Sequence, residues 1–232
     1  MRVLVLRPGE GARRTAARLK ALGHEAICAP VLETVGTGQS PPSGPFDGVI
    51  ATSAQAFAFV KPSALLHFLH LPLMCVGART AAAAREAGFS DIRIEAADAR
   101  RLALAIAKEP PMNRPLYLAG QDRKAALEDA LHEQGVAVIP WVTYKARAAG
   151  SLTAEAVHAL RAGQIDAAFH FSRRSAAIFC DLVRKAGAIE EARAILHVAI
   201  SEDAANGLRD LAPPRLRIAN APDETHMLGS LS

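Results

Sequence analysis

Phe46-Asp47-Gly48-Val49-Ile50-Ala51-Thr52-Ser53 carries an acid in second place, runs through apolar residues and closes on two hydroxyls. It is echoed by Ile165-Asp166-Ala167-Ala168-Phe169-His170-Phe171-Ser172, with the closing serines 119 residues apart. A continuous apolar run of this length reads as a parallel strand buried on both faces, because a strand with one wet face would alternate. Two further echoes keep the same order. Strand Val3–Leu6, helix Ala12–Leu22 and strand Ala26–Val31, with Leu19 and Gly23, return as strand Leu116–Leu118, helix Lys124–Gln134 and strand Val136–Ile139, with Leu131 and Gly135 at an offset of 112. Arg93-Ile94 and the helix holding Leu104 return as Arg217-Ile218 and Leu228, at an offset of 124. Three ordered echoes argue for an internal duplication whose copies are each the size of a domain. Each copy carries five strand-helix steps, so the expected architecture is a pair of parallel, doubly wound sheets.

The remaining pattern fills in between. Strand Gly48–Ala51 leads to a helix from about Ala54, strand Leu73–Val76 to helix Ala81–Ala87, and strand Ile92–Glu95 to a helix near Ala99–Lys108. Residues 36–45, Gly-Thr-Gly-Gln-Ser-Pro-Pro-Ser-Gly-Pro, are the richest in breakers and read as a linker or exposed loop.

Composition narrows the function classes. With 232 residues, 50% hydrophobic and 22% charged, the chain is neither disordered nor collagen-like. No run approaches the ~18 apolar residues of a membrane span, and Val3–Leu6 is too short for a signal-peptide core, so a cytoplasmic protein is expected. Three scattered cysteines give neither a disulfide framework nor a zinc site. His67 and His70 lack acidic or thiol neighbours in sequence, and no metal site is expected. The net charge of +4 suits an anionic partner, but aromatics are only 5% and do not interleave with basic runs. A small polyanion fits better than nucleic acid. Gly9-x-Gly11 opens a helix as a dinucleotide fingerprint would, yet Arg14 stands where the third glycine belongs and no acid closes the second strand.

Ligands of open α/β sheets bind beyond the carboxyl ends of the strands, so the residues there are the candidates. They are Arg7; Thr52 and Ser53; Gly77, Arg79 and Thr80; Gly120, Arg123 and Lys124; Ser172, Arg173 and Arg174; and Ser201, followed by the acids Glu202 and Asp203. Each hydroxyl taken singly is also a good helix N-cap. The recurrence of hydroxyls, glycines and basic groups at five strand ends favours a carboxylate or phosphate ligand. Tyr144, in Trp141-Val142-Thr143-Tyr144-Lys145, follows the second strand-helix-strand unit and offers a phenol able to donate a proton.

The opening Val-Leu-Val-Leu-Arg-Pro, Asp47…Thr52-Ser53-Ala54, Cys75-Val76-Gly77-x-x-Thr80-Ala81 and Leu118-Ala119-Gly120…Leu127…Leu131…Gly135…Val142-x-Tyr144 come in the order found in uroporphyrinogen-III synthases. The chain resembles that family over nearly its whole length, through Phe171-Ser172 to Ile218-x-x-Ala221-Pro222 and Leu228. The resemblance implies two flavodoxin-like, parallel-sheet α/β domains joined by a two-stranded linker, the first domain discontinuous. Here that means residues 1–34 with 147–232, residues 37–142, and linkers near 32–38 and 141–148. It implies a monomer that closes the linear tetrapyrrole hydroxymethylbilane with inversion of ring D and loss of water, with no cofactor and no metal. Transient contact with hydroxymethylbilane synthase is part of that expectation; nucleic acid and membrane are not. Tyr144 matches the family's tyrosine proposed to assist departure of the hydroxyl. Arg7, Thr52, Ser53, Gly77, Thr80, Gly120, Arg123, Lys124, Ser172, Arg173, Arg174 and Ser201 are the expected substrate-binding set. Where many members have Gly-Pro-x-Thr-Ala, this chain reads Ser201-Glu202-Asp203-Ala204-Ala205. The rival readings are a two-lobed cytoplasmic solute-binding or sensor protein for a small polyanion, and a nucleotide-dependent transferase. The transferase is opposed by the lack of a P-loop.

Overall fold

The computed structural model describes residues 1–109 and 112–231. Backbone contacts divide the chain into two compact units, one of Met1–Glu33 with Arg147–Ser232 and one of Thr34–Ala146. In chain order the strands are β1 (Arg2–Val5), β2 (Glu25–Cys28), β3 (Leu32–Gly36), β4 (Val49–Ala51), β5 (Leu73–Val76) and β6 (Ile92–Ala96). They continue as β7 (Leu116–Gly120), β8 (Ile139–Ala148), β9 (Ala167–His170), β10 (Leu196–Ala199) and β11 (Leu216–Ile218).

The first unit holds a sheet in the order β11-β10-β9-β1-β2, with every pair parallel. Counted along the sheet from β2, this is the 2-1-3-4-5 order of flavodoxin-like folds, and its switch point lies between β1 and β9. Val3, Leu4, Val5, Ala167, Ala168 and Phe169 have no exposed surface, as parallel strands covered on both faces require. One face packs Val3, Val5 and Phe169 against Ala12 and Leu19 of helix Gly9–Ala21 and Met227 of helix Glu224–Gly229. The other packs Leu4, Ile27 and Ala168 against Phe179 and Val183 of helix Arg173–Lys185 and Leu160 of helix Ala154–Arg161.

Helix Arg173–Lys185 carries a close crossing. A Cβ on Gly207 would stand 2.3 Å from the Arg173 carbonyl oxygen and 2.8 Å from Ala176 Cβ, so this contact accepts only glycine. Gly207→Ala should therefore destabilise by about 1–3 kcal/mol, the usual cost of overpacking, despite alanine's better helix propensity. Urea unfolding measures it; an unchanged midpoint would mean that the helix shifts freely.

Two histidines lie between this sheet and helix Arg173–Lys185. His170 Nε2 and His197 Nδ1 are 2.9 Å apart, the rings stack, and His197 Nε2 is 2.8 Å from the Ala192 carbonyl. A carbonyl only accepts, so His197 carries its proton on Nε2 and accepts at Nδ1. His170 must then donate from Nε2, which leaves its Nδ1 an acceptor. That atom is buried and has no hydrogen-bond partner among the described residues. Burial, and for His170 the neighbouring His197 ring, holds both imidazoles below the ordinary histidine range, His197 at about 4.

The second unit holds a sheet in the order β3-β8-β7-β4-β5-β6. Its part from β8 to β6 is parallel and reads 5-4-1-2-3 in chain order, a circular permutation of the first unit's 2-1-3-4-5, with the switch point between β7 and β4. Val49, Leu73, Leu116 and Leu118 face Phe57, Phe68 and Phe89 on one side, while Ile50, Met74 and Tyr117 face Leu102, Leu127 and Leu131 on the other. The expected strand Val136–Ile139 is a correction: β8 begins at Ile139 and runs to Ala148. Val136 and Val138 instead plug the apolar face from a loop, Val136 being 8% exposed, which explains their apolar character without a strand. The expected helix from about Ala54 is broken into the short helices Gln55–Ala58 and Pro62–Leu65, and the strand expected over Ala26–Val31 stops at Cys28. No helix among the described residues is long and apolar enough to cross a membrane.

Candidate functional site

In the first unit the β1/β9 switch point brings Arg7 beside Phe171, the residue before Ser172. The Arg7 guanidinium lies 4.3 Å from the centroid of the Phe171 ring, within the range of a cation–π contact. Burial draws its pKa down and the nearby Glu224 carboxylate opposes the shift. Ser172 caps helix Arg173–Lys185, accepting from the Ser175 N–H at 3.2 Å and meeting the Ser175 hydroxyl at 2.9 Å. Arg173 and Arg174 are the exposed first residues of that helix. Ser201, one strand over, caps the helix Glu202–Asn206 by accepting from Ala204 N–H at 3.3 Å. Glu202 and Asp203 then occupy the first turn of that helix, where its partial positive charge favours acids. That accounts for the departure at this loop without any ligand.

In the second unit the β7/β4 switch point gathers Thr52, Ser53, Gly120 and Tyr144. Thr52 Oγ1 and the Tyr117 hydroxyl are 2.8 Å apart, so a hydrogen bond spans the switch point itself. Burial pushes the Tyr117 phenol up, which keeps it protonated at neutral pH. Tyr144 lies on β8 with its ring directly on Gly120. A Cβ there would stand 2.7 Å from Tyr144 Cζ and 2.9 Å from its hydroxyl. Phe59 stacks on the same ring at 6.5 Å. The Tyr144 hydroxyl is half-buried and has no protein hydrogen-bond partner among the described residues, so it is free to serve a ligand.

The other candidates of this unit differ in how far they are committed. Arg123 forks onto Glu128 with two bonds of 2.9 Å and donates to the Gly120 carbonyl at 3.2 Å. The bonds to Glu128 raise its pKa against the opposing effect of burial, and its guanidinium steadies the Gly120 loop rather than standing open to an anion. The Gly77 N–H is taken by the Ala96 carbonyl at 2.8 Å, and Thr80 is 4% exposed inside its helix. Ser53 Oγ accepts from the Gln55 N–H at 3.3 Å, and Lys124 is exposed. His67 and His70 are both exposed, and no group of three or more metal-capable side chains gathers among the described residues.

Sequence reasoning missed Tyr117, which sits in an apolar run and reads as core until its hydroxyl is placed against Thr52. It also missed Glu224, a lone acid near the end of the chain, and the role of Phe171 as the surface on which Arg7 lies.

The family model for uroporphyrinogen-III synthase HemD matches residues 13–229 of this chain. No curated protein matches. Among solved structures, uroporphyrinogen-III synthetase from Helicobacter pylori is similar over 100% of this chain and 98% of its own, with 17% identity and a TM-score of 0.56. A mutant uroporphyrinogen III synthase from Thermus thermophilus is similar over 100% of this chain and 97% of its own, with 18% identity and a TM-score of 0.48. At such identities the Helicobacter likeness speaks for the fold alone.

Proposed function

The chain belongs to the uroporphyrinogen-III synthase family, and from that premise we propose how its own side chains carry the family's reaction. The enzyme is a cyclising hydro-lyase of haem biosynthesis. Hydroxymethylbilane loses its terminal hydroxyl as water, and the macrocycle closes with the last ring inverted. The pyrroles themselves supply the electrons that expel the hydroxyl, and the bilane also closes unaided to the non-inverted isomer. The protein's task is therefore positioning: it holds the chain so that the substituted carbon of the last ring is the one attacked.

Tyr144 gives the departing hydroxyl its proton. This reading rests on one observation: its phenol lies on Gly120 at the β7/β4 switch point, beside the Thr52–Tyr117 pair, with no hydrogen-bond partner among the described residues. Ser53 and the Thr52–Tyr117 pair offer hydroxyls to the substrate's acetate and propionate groups. Arg7, Arg173 and Arg174 offer positive charge at the β1/β9 switch point. The protein works as a cytoplasmic monomer and takes its bilane through passing contact with hydroxymethylbilane synthase. The solute-binding alternative draws no support from the family match.

Incubation with freshly made hydroxymethylbilane, followed by oxidation and separation of the uroporphyrin isomers, tests the reading. Type III product in excess over the unaided reaction is expected. Type I alone would return the protein to the binding class.

A further inference from the structure

Arg7 stands on a bed that no helix contact requires. A Cβ on Gly11 would lie 2.5 Å from Arg7 Nε and 2.9 Å from its Cζ, so the missing side chain is the space the guanidinium fills. Phe171 supports its flank at 4.3 Å. On the far side Arg7 Nη1 is 3.9 Å from Glu224 Oε2, a Coulombic contact too long for a hydrogen bond. The same oxygen lies 3.6 Å from Arg14 and 3.4 Å from Arg18, so one carboxylate is shared among three guanidinium groups. The Arg7 side chain is 27% exposed, yet none of its five N–H donors has a protein acceptor within hydrogen-bond distance among the described residues.

An interhelix clasp accounts for Arg14, Arg18 and Glu224, which join helices Gly9–Ala21 and Glu224–Gly229. It does not account for Gly11 or for Arg7 lying on Phe171. A pre-aimed planar fork with free donors, at the carboxyl end of a central strand, is what bidentate carboxylate recognition needs. We propose that Arg7 is a carboxylate subsite of the first unit, taking one acetate or propionate group of the tetrapyrrole, with Gly11 as the positioning residue beneath it. The assignment to a tetrapyrrole rests on the function proposed above; the subsite for a carboxylate does not. Glu224 keeps Arg7 turned toward the strand end, and the excess positive charge of the cluster favours an incoming anion.

The test uses the full chain and two variants. Gly11 has no positive φ and lies in a helix, so Gly11→Ala should hold or raise the melting temperature. Its methyl group displaces Arg7, and the Michaelis constant for hydroxymethylbilane should rise about tenfold while turnover changes little. Arg7→Met keeps the apolar stem and removes the fork, and should raise the constant at least as much. Fluorescence titration with uroporphyrin, an octacarboxylate probe, reads the same loss without any reaction. An Arg7→Met protein that is folded, with an unchanged Michaelis constant and unchanged uroporphyrin affinity, overturns the subsite. A wild-type protein that makes no type III isomer but loses uroporphyrin affinity on Arg7→Met sinks the synthase reading and leaves the subsite standing.

Discussion

Tyr144→Phe should lower turnover on hydroxymethylbilane by about 10²-fold, the lower end of what a positioned general acid contributes, with the melting temperature nearly unchanged. The leaving hydroxyl needs a proton, and a phenol carries one at neutral pH. The Tyr144 hydroxyl has no protein hydrogen-bond partner among the described residues, and its ring occupies the space that the missing side chain of Gly120 leaves. The low end is expected because the pyrrole drives departure by itself. Phenylalanine keeps the ring that packs on Gly120 and Phe59, and it removes no protein hydrogen bond among the described residues, so folding should survive. Turnover and melting must be measured on the same protein. An intact rate with a lowered melting temperature would make Tyr144 a packing residue and nothing more.

The second large effect concerns stability and acid. Both buried imidazoles sit below the ordinary histidine value of 6.5, His197 at about 4. For a base depressed in the folded state, the unfolded chain binds the proton first. The histidines' contribution is therefore fully present above pH ~6.5 and drains away as the pH falls toward the folded value. From His197 alone the loss by pH 4 is about 3 kcal/mol, because each pH unit crossed between the two values takes away ~1.4 kcal/mol. Urea unfolding at several pH values between 7.5 and 4 reads this as a falling midpoint. The double variant His170→Phe, His197→Leu removes both rings but leaves the Ala192 carbonyl without its donor, so its midpoint at pH 7.5 should drop while its pH profile flattens. If wild type and double variant fall in parallel between pH 7 and 5, the pair is not the source of the acid sensitivity.

Much of the sheet architecture was legible because parallel strands buried on both faces leave unbroken apolar runs. Val3–Leu6, Gly48–Ala51 and Leu73–Val76 could be read directly, and the observed β5 has the expected bounds. The start of β8 at Ile139 was missed because Val136 mimics a strand residue while plugging a loop, and its later part was expected only as the linker near 141–148 that the resemblance implies. Strand-end hydroxyls were visible in the sequence, but their partners were not. Whether a serine caps a helix or faces a ligand depends on its rotamer, and Ser172 and Ser201 proved to cap. The His170–His197 contact was illegible for a different reason: it needs β9 and β10 in register, with His170 opposite Ala199, and no local pattern announces that pairing. Gly9-x-Gly11 was noticed for a ligand it does not fit; the second glycine makes room for Arg7 instead.

The sheet order has a consequence for how the protein comes off the ribosome. Strands β1 and β2 emerge first, yet β1 pairs with β9, which begins at Ala167. Between them the whole second unit, Thr34–Ala146, is synthesised as one continuous stretch. At roughly 5–20 residues per second, the opening strand-helix-strand unit waits on the order of ten seconds for its neighbour. During that time β1 has no β9 to lie against, and β4, whose sequence echoes that of β9, emerges before the proper partner does. A duplicated chain thus presents its first strand with a look-alike of its partner earlier than with the strand it needs. Long-range pairing of this kind slows folding, and it makes the nascent N-terminal segment the part of the molecule with most to gain from a chaperone.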